Sequence, residues 1–162
     1  MKRAIWVALV LAGCGSSSPA NVAGTYTVAG TDEANGCMIG TNWTQGNTFT
    51  GVTVTITQSP GSSTATAMVT GLGSLGLDAL LGTSSFTGSV DGDSVDLKAI
   101  GTVAQHSGNC TYTVDGEIKA TLSGDSLAGT IDYTTQTNSN TDCTTITGCL
   151  STQDFNGSRP PP

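Results

Sequence analysis

The sequence predicts an all-β protein, an eight-stranded antiparallel up-and-down barrel. The chain contains 22 glycines, many threonines and serines, and only 5 lysines and arginines, so strong helix formers are scarce. Apolar residues alternate with polar ones over many short segments, and turn residues separate these segments. Eight strands in a meander can close on themselves and leave no exposed edge. A β-sandwich of two sheets is the alternative architecture.

The alternation places the strands at eight positions along the chain. They are residues 24–30, 48–58, 63–70, 84–90, 93–101, 109–122, 127–135 and 149–157. A turn at Asp115-Gly116 would mix the two faces of the segment around it, so 109–122 is predicted to be one long strand.

Three tight reversals keep the apolar residues of their hairpins on one face. They are centred on Pro60-Gly61, Asp91-Gly92 and Gly124-Asp125. The predicted pairs are Ile56 with Ala65, Val54 with Ala67, Val52 with Val69, Gly88 with Val95, Phe86 with Leu97, Leu122 with Leu127, Ala120 with Gly129 and Ile118 with Ile131. Glycines inside these strands indicate the bends that a coiled barrel needs.

The first strand carries a short motif, Gly24-Thr25-Tyr26. It resembles the Gly-x-aromatic sequence in the first strand of lipocalin and avidin type barrels, with tyrosine in place of the usual tryptophan. The resemblance implies a lipocalin-like barrel for residues 23–158, followed by a proline-rich tail at 159–162.

The N-terminus has the layout of a secretory signal. Lys2 and Arg3 precede a short apolar run at 4–11, and small residues come before Cys14. The sequence Leu11-Ala12-Gly13-Cys14 resembles the lipobox of bacterial lipoproteins. The resemblance implies that residues 1–13 are removed, that Cys14 is acylated, and that 14–22 form a tether. Glycine rather than aspartate at position 15 implies the outer membrane, with the protein facing the periplasm or the surface; an ordinary secretory signal is the alternative.

The charge balance limits the partners that this protein can have. Acidic residues number 12 against 5 basic ones, and two of the basic residues lie in the signal. A strongly acidic protein does not favour nucleic acid or anionic headgroups. The expected partners are the bilayer, through the acyl anchor, and a small apolar ligand or an envelope protein.

Four cysteines follow Cys14, namely Cys37, Cys110, Cys143 and Cys149. An even number in an exported chain predicts two disulfides. All four are expected at one end of the barrel, so three pairings are open; Cys143 with Cys149 and Cys37 with Cys110 is favoured because the first closes a short loop. With one histidine, His106, and no CxxC pair, the sequence predicts no metal or other cofactor.

The connections differ between the two ends of the predicted barrel. Residues 31–47, 71–83, 102–108 and 136–148 form long loops at the end opposite the tight turns, where binding residues most often lie. The first strand begins at the tight-turn end, soon after Cys14. The anchor is therefore expected to hold that end near the membrane.

The residues predict a non-enzymatic protein, because no motif places a base beside a nucleophile. The leading hypothesis is that the barrel binds a small apolar ligand in its interior. The alternative is a barrel that contacts another protein, as an inhibitor or an envelope-assembly factor, through its disulfide-linked loops. Trp43 is expected to cap the barrel mouth or to anchor a partner, and the leucines of 72–82 to plug the mouth or to cover a ligand. The candidate ligand-binding residues are Tyr26, Trp43, Leu77, Phe86, Tyr112 and Tyr133.

Overall fold

A computed structural model of the chain describes residues 18–40 and 43–161. The predicted signal and lipobox, with Cys14, lie outside the described residues. The strands are β1 (Gly24–Asn35), β2 (Thr48–Thr57), β3 (Thr64–Thr70), β4 (Ser85–Asp91), β5 (Ser94–Ala99), β6 (Gln105–Ser107), β7 (Cys110–Ser123), β8 (Ser126–Thr137) and β9 (Ser151–Ser158). A helix, α1 (Leu72–Leu81), joins β3 to β4, and a 3-10 turn (Thr141–Cys143) lies between β8 and β9.

The strands form a closed eight-stranded antiparallel barrel, as the alternation predicts. Each strand of the ring pairs with the next, β5 pairs with β7, and β1 closes the ring by pairing with β9. The short strand β6 lies in a segment predicted to be a loop and pairs only with the start of β7. Closure excludes the two-sheet sandwich.

The predicted strand registers are correct in one hairpin and wrong in two. Leu122 pairs with Leu127 as expected. Ile56, however, pairs with Ala67 instead of Ala65, and Gly88 pairs with Leu97 instead of Val95. The correction is two residues in each case, so the same side chains still face inward.

Local hydrogen bonds explain the two corrections. The β2–β3 connection is longer than expected because the Gln58 side chain donates to the Ser62 carbonyl at 2.7 Å and fixes a wider turn. In the β4–β5 hairpin, Asp91 pairs with Ser94, so the turn residues are Gly92 and Asp93. Gly92 takes a positive φ of 53°, which glycine adopts without strain.

A bulge in β2 turns one aromatic ring into the barrel. Val28 pairs with Val52, but two residues later Gly30 pairs with Phe49, so β2 has one extra residue here. Gly51 has a φ of 74° and absorbs the bend. Phe49 therefore shares the inner face with Val52 although the two are an odd number of residues apart.

The base of the barrel, at the tight-turn end, is closed by the chain that leads into β1. The Ala20 amide donates to the Gly92 carbonyl at 2.8 Å. The Gln58 side chain binds this segment at two points. It donates to the Ala20 carbonyl at 3.0 Å and accepts from the Val22 amide at 2.8 Å. The described chain thus enters the barrel at its base.

The helix α1 lies at the opposite end, which is the mouth of the barrel. Leu77 and Leu81 are buried, whereas Leu72 and Leu75 are exposed. No helix within residues 18–40 and 43–161 has both the length and the apolar character needed to cross a bilayer.

Candidate ligand cavity

The barrel holds a cavity of about 410 Å³, partly open to solvent, between its inner wall and α1. Small-molecule sites usually have volumes of about 300–1,000 Å³. The wall is largely aliphatic and includes Val28, Val54, Ile56, Leu97, Ile118 and Leu127. The interior is therefore large enough for a small ligand and is not filled by side chains.

The structure brings four of the six predicted ligand-binding residues to this cavity. Tyr26, Trp43, Leu77 and Tyr133 line it. Leu77 reaches it from α1, and Trp43 reaches it from the connection after β1.

Phe86 and Tyr112 do not line the cavity. Phe86 is fully buried, and its ring lies over Gly116 beside Leu81, where it fills part of the interior. Tyr112 lies on the upper part of β7, beyond the last residue that pairs with β5, and its hydroxyl donates to Gln105 on β6 at 3.3 Å. The alternation of apolar residues along β7 does not show that its pairing with β5 ends at Gly116, before Tyr112 is reached.

Three polar side chains form a hydrogen-bonded chain in the cavity wall. The Tyr133 hydroxyl donates to Gln153 Oε1 at 3.0 Å, and Gln153 Nε2 donates to Asp32 Oδ1 at 2.6 Å. Asp32 is only 8% exposed. Burial and the negative charge of Asp32 both raise the pKa of Tyr133 above its usual range, so its hydroxyl remains a donor.

Sequence reasoning missed Asp32 and Gln153, together with Phe49 and Phe155 in the same wall. The sequence did contain a signal that Asp32 faces inward, because it lies an even number of residues after Tyr26 and Val28. The prediction ended the first strand at residue 30, whereas β1 continues to Asn35. Phe49 could not be assigned without the bulge at Gly51.

Trp43 packs edge to face on Tyr133, with ring centroids 5.8 Å apart. Its indole Nε1 donates to the Glu33 carbonyl at 3.0 Å. The only tryptophan after Cys14 is thus held at the mouth end of the cavity, next to the polar chain.

Tyr26 and Arg159 close the opposite end of the interior. The Tyr26 hydroxyl donates to the Val22 carbonyl at 3.0 Å, and the Arg159 guanidinium lies 5.7 Å from the ring centroid. Burial raises the pKa of Tyr26, and the nearby Arg159 charge partly opposes this. Arg159, assigned to the tail by sequence, also binds Asp125 at 3.1 Å and so belongs to the packed base.

The two disulfides join Cys37 to Cys149 and Cys110 to Cys143. The favoured pairing of Cys143 with Cys149 and of Cys37 with Cys110 is therefore wrong. The register of β1 with β9 sets Asn35 opposite Ser151. Two residues further on, antiparallel geometry brings Cys37 to Cys149.

The second bridge is positioned by the connection between β8 and β9. Asp142 Oδ2 accepts from the Asn109 amide at 2.8 Å and from its side chain at 3.0 Å. This holds the 3-10 turn against the start of β7, where Cys110 and Cys143 pack with Ile146 in a small cluster of their own.

The part of the chain that the structure describes contains no group of three or more histidine, cysteine, aspartate or glutamate side chains arranged for a metal ion. His106 is exposed and contacts the Thr111 hydroxyl through Nδ1 at 3.1 Å. Comparison of the chain with family models, curated proteins and solved structures finds no match in any of the three. The function proposed below is therefore argued from the geometry of the cavity.

Proposed function

We propose that this protein is a lipid-anchored, non-enzymatic barrel of the bacterial outer membrane that binds a small, mainly apolar ligand. The observation that carries the proposal is the barrel cavity of about 410 Å³, open at the mouth, with aliphatic and aromatic walls. Moving an apolar ligand into such a site removes apolar surface from water, at about 25 cal/mol per Å².

The path of the chain at the base supports the lipid anchor. Ala20 is the sixth residue after Cys14, and its amide is fixed to the Gly92 turn. At about 3.3–3.6 Å per residue, the base would lie within about 20 Å of the acylated residue. The mouth, with α1 and both disulfides, would then face away from the membrane and remain open to ligands.

Decan-1-ol, a neutral apolar probe, tests the cavity. The purified chain in phosphatidylcholine vesicles is expected to show a change in Trp43 emission that saturates as decan-1-ol is added. Gly76→Phe should weaken binding roughly ten-fold, about 1.4 kcal/mol, because the new ring would occupy the mouth. Gly76 lines the cavity, and apart from its chain neighbours and the backbone of α1 no described atom lies within 4 Å of the position of an added β-carbon.

Leu75→Phe is the matched control. It adds the same ring one position earlier on α1, where Leu75 is 64% exposed. Its affinity should equal that of the parent chain. Absence of saturable binding by the parent, or equal loss in both variants, would contradict ligand binding in the cavity.

A second candidate function is contact with an envelope protein through the mouth. Several large apolar side chains there are at least 50% exposed, namely Met38, Leu72, Leu75, Ile100 and Leu150. Met38 and Leu150 each adjoin a cysteine of the Cys37–Cys149 bridge. This function remains the better proposal if decan-1-ol does not bind.

A further inference from the structure

The two hydrogen bonds that link Tyr133, Gln153 and Asp32 in the cavity wall run in the same direction, each donated toward Asp32. A carboxylate only accepts hydrogen bonds, so Gln153 must present its amide nitrogen to Asp32 and its oxygen to Tyr133. The hydrogen of the Tyr133 hydroxyl and one amide hydrogen of Gln153 are thereby used. This series of hydrogen bonds ends at the Asp32 carboxylate, which can accept further hydrogen bonds and can donate none.

The charge of Asp32 also lacks a counterpart in the described protein. The structure describes three lysine and arginine side chains, and all three have partners elsewhere. Lys98 and Lys119 both bind Glu117, and Arg159 binds Asp125. A buried carboxylate without a cation loses hydration that one neutral amide replaces only in part.

The position of Asp32 defines the shape of a matching ligand. Because β1 runs from the base at Gly24 to the mouth end at Asn35, Asp32 lies toward the mouth. The aromatic rings of Trp43 and Tyr133 line the same region. Aliphatic residues, including Ile56, Leu97 and Leu127, line the rest of the cavity.

We infer that the cavity selects a cationic amphiphile, an amine with an apolar body, whose ammonium group binds Asp32 near the mouth while the body fills the aliphatic part. The ammonium supplies both the hydrogen-bond donor and the positive charge that Asp32 lacks. Aromatic faces such as those of Trp43 and Tyr133 attract cations as well. This inference rests on the proposed function and adds the ligand class to it.

Three probes of equal chain length, decylamine, decan-1-ol and decanoate, test the inference on the purified chain in phosphatidylcholine vesicles. Trp43 emission is recorded and empty vesicles serve as the blank. Decylamine should bind at least about ten-fold more tightly than decan-1-ol, as expected for a hydrogen bond between charged groups. Decanoate should bind most weakly.

Asp32→Asn keeps the shape of the side chain and removes the charge. It should abolish the preference for decylamine and leave the affinity for decan-1-ol within about two-fold of the parent. Asp154→Asn is the matched control, because Asp154 is an exposed aspartate on β9, next to Gln153. It should leave the whole probe series unchanged.

The outcomes separate the inference from the function on which it rests. Equal binding of decylamine and decan-1-ol, or tighter binding of decanoate, overturns the inference and leaves apolar ligand binding intact. If none of the probes binds, both fail. The probe series on the parent chain decides between these outcomes even if Asp32→Asn does not fold.

Discussion

Glu117 shows how one residue on β7 can be linked to the neighbouring strand β5. It pairs directly with Lys98 between β5 and β7, and its two oxygens lie 2.8 Å from Lys98 Nζ and 2.6 Å from Lys119 Nζ. Hydrogen bonds from Lys119 and Lys98 lower the pKa of Glu117 to about 2. A lowered carboxyl pKa means that its contribution to stability is present above pH 4.5 and is lost as the pH falls toward 2.

Glu117→Gln is therefore expected to lower the Tm at pH 7 by about 2–4 °C, since partly exposed ion pairs contribute modestly. The difference from the parent should shrink as the pH falls from 4.5 toward 2, where Glu117 is protonated in the unfolded chain and about half protonated in the folded one. Thermal unfolding followed by circular dichroism measures both values. Glu33→Gln, the same change at a site without an ion pair in the described structure, should have little effect; a Glu117 effect as large at pH 2 as at pH 7 would contradict the argument.

Asp32 shows what the sequence pattern could and could not predict about a residue. Its place in the period-two phase of β1 predicts that its side chain faces inward. The partner that defines its role, Gln153, lies 121 residues away in the sequence. No local pattern relates these two residues, because only ring closure brings β1 beside β9.

Among the elements, the disulfides connect different parts of the mouth. Cys37–Cys149 lies next to the polar chain, since the Cys37 amide donates to the Ser151 hydroxyl at 3.0 Å and Ser151 pairs with Tyr133. Cys110–Cys143 lies in the separate cluster that ties the 3-10 turn to the start of β7. Their sequence separations are 112 and 33 residues, so loop closure implies about 5 and about 4 kcal/mol of stabilisation.

Removing each bridge by a double cysteine-to-alanine change should lower the free energy of unfolding by comparable amounts. Only the loss of Cys37–Cys149 should also weaken the binding of decan-1-ol, because it frees the end of β1 beside Ser151. Urea unfolding and Trp43 emission provide the two measurements. Equal loss of binding in both variants would show that the two bridges do not act on separate parts of the mouth.

The elements themselves were predictable to different degrees. The long strand β7 follows from an unbroken alternation, and its hairpin with β8 is held by the Gly124-Asp125 turn, so both are correct. The β2–β3 register was not predictable, since it depends on a contact of the Gln58 side chain with Ser62. The leucine-rich segment forms the helix α1, which buries Leu77 and Leu81 and leaves Leu72 in solvent.

At the scale of the whole molecule, the barrel has a closed base and a mouth with a cavity behind it. Tight turns, Arg159 and the chain around Ala20 lie at the base, and α1, the long connections and both disulfides lie at the mouth. If Cys14 carries the proposed anchor, the base is the end of the barrel that lies near the bilayer.

Mass spectrometry of the purified protein tests this arrangement. We expect a mature chain that begins at Cys14, carries acyl chains there, and contains two disulfides. Cys14→Ser should abolish the acylation and shift the protein out of the membrane fraction, while both disulfides persist. A mature chain with an unmodified N-terminus at another residue would contradict the anchor.

The sequence by itself determined the all-β class, the eight strands of the ring, the inward faces except at Phe49, and the position of the long connections at one end. These features depend on alternation and turn residues, which are local. Tertiary structure decided the disulfide pairing, the cavity, the places of Phe86 and Tyr112, and the partners of Asp32. These depend on strand register, on the bulge at Gly51 and on closure between β1 and β9, which join residues that are far apart in the chain.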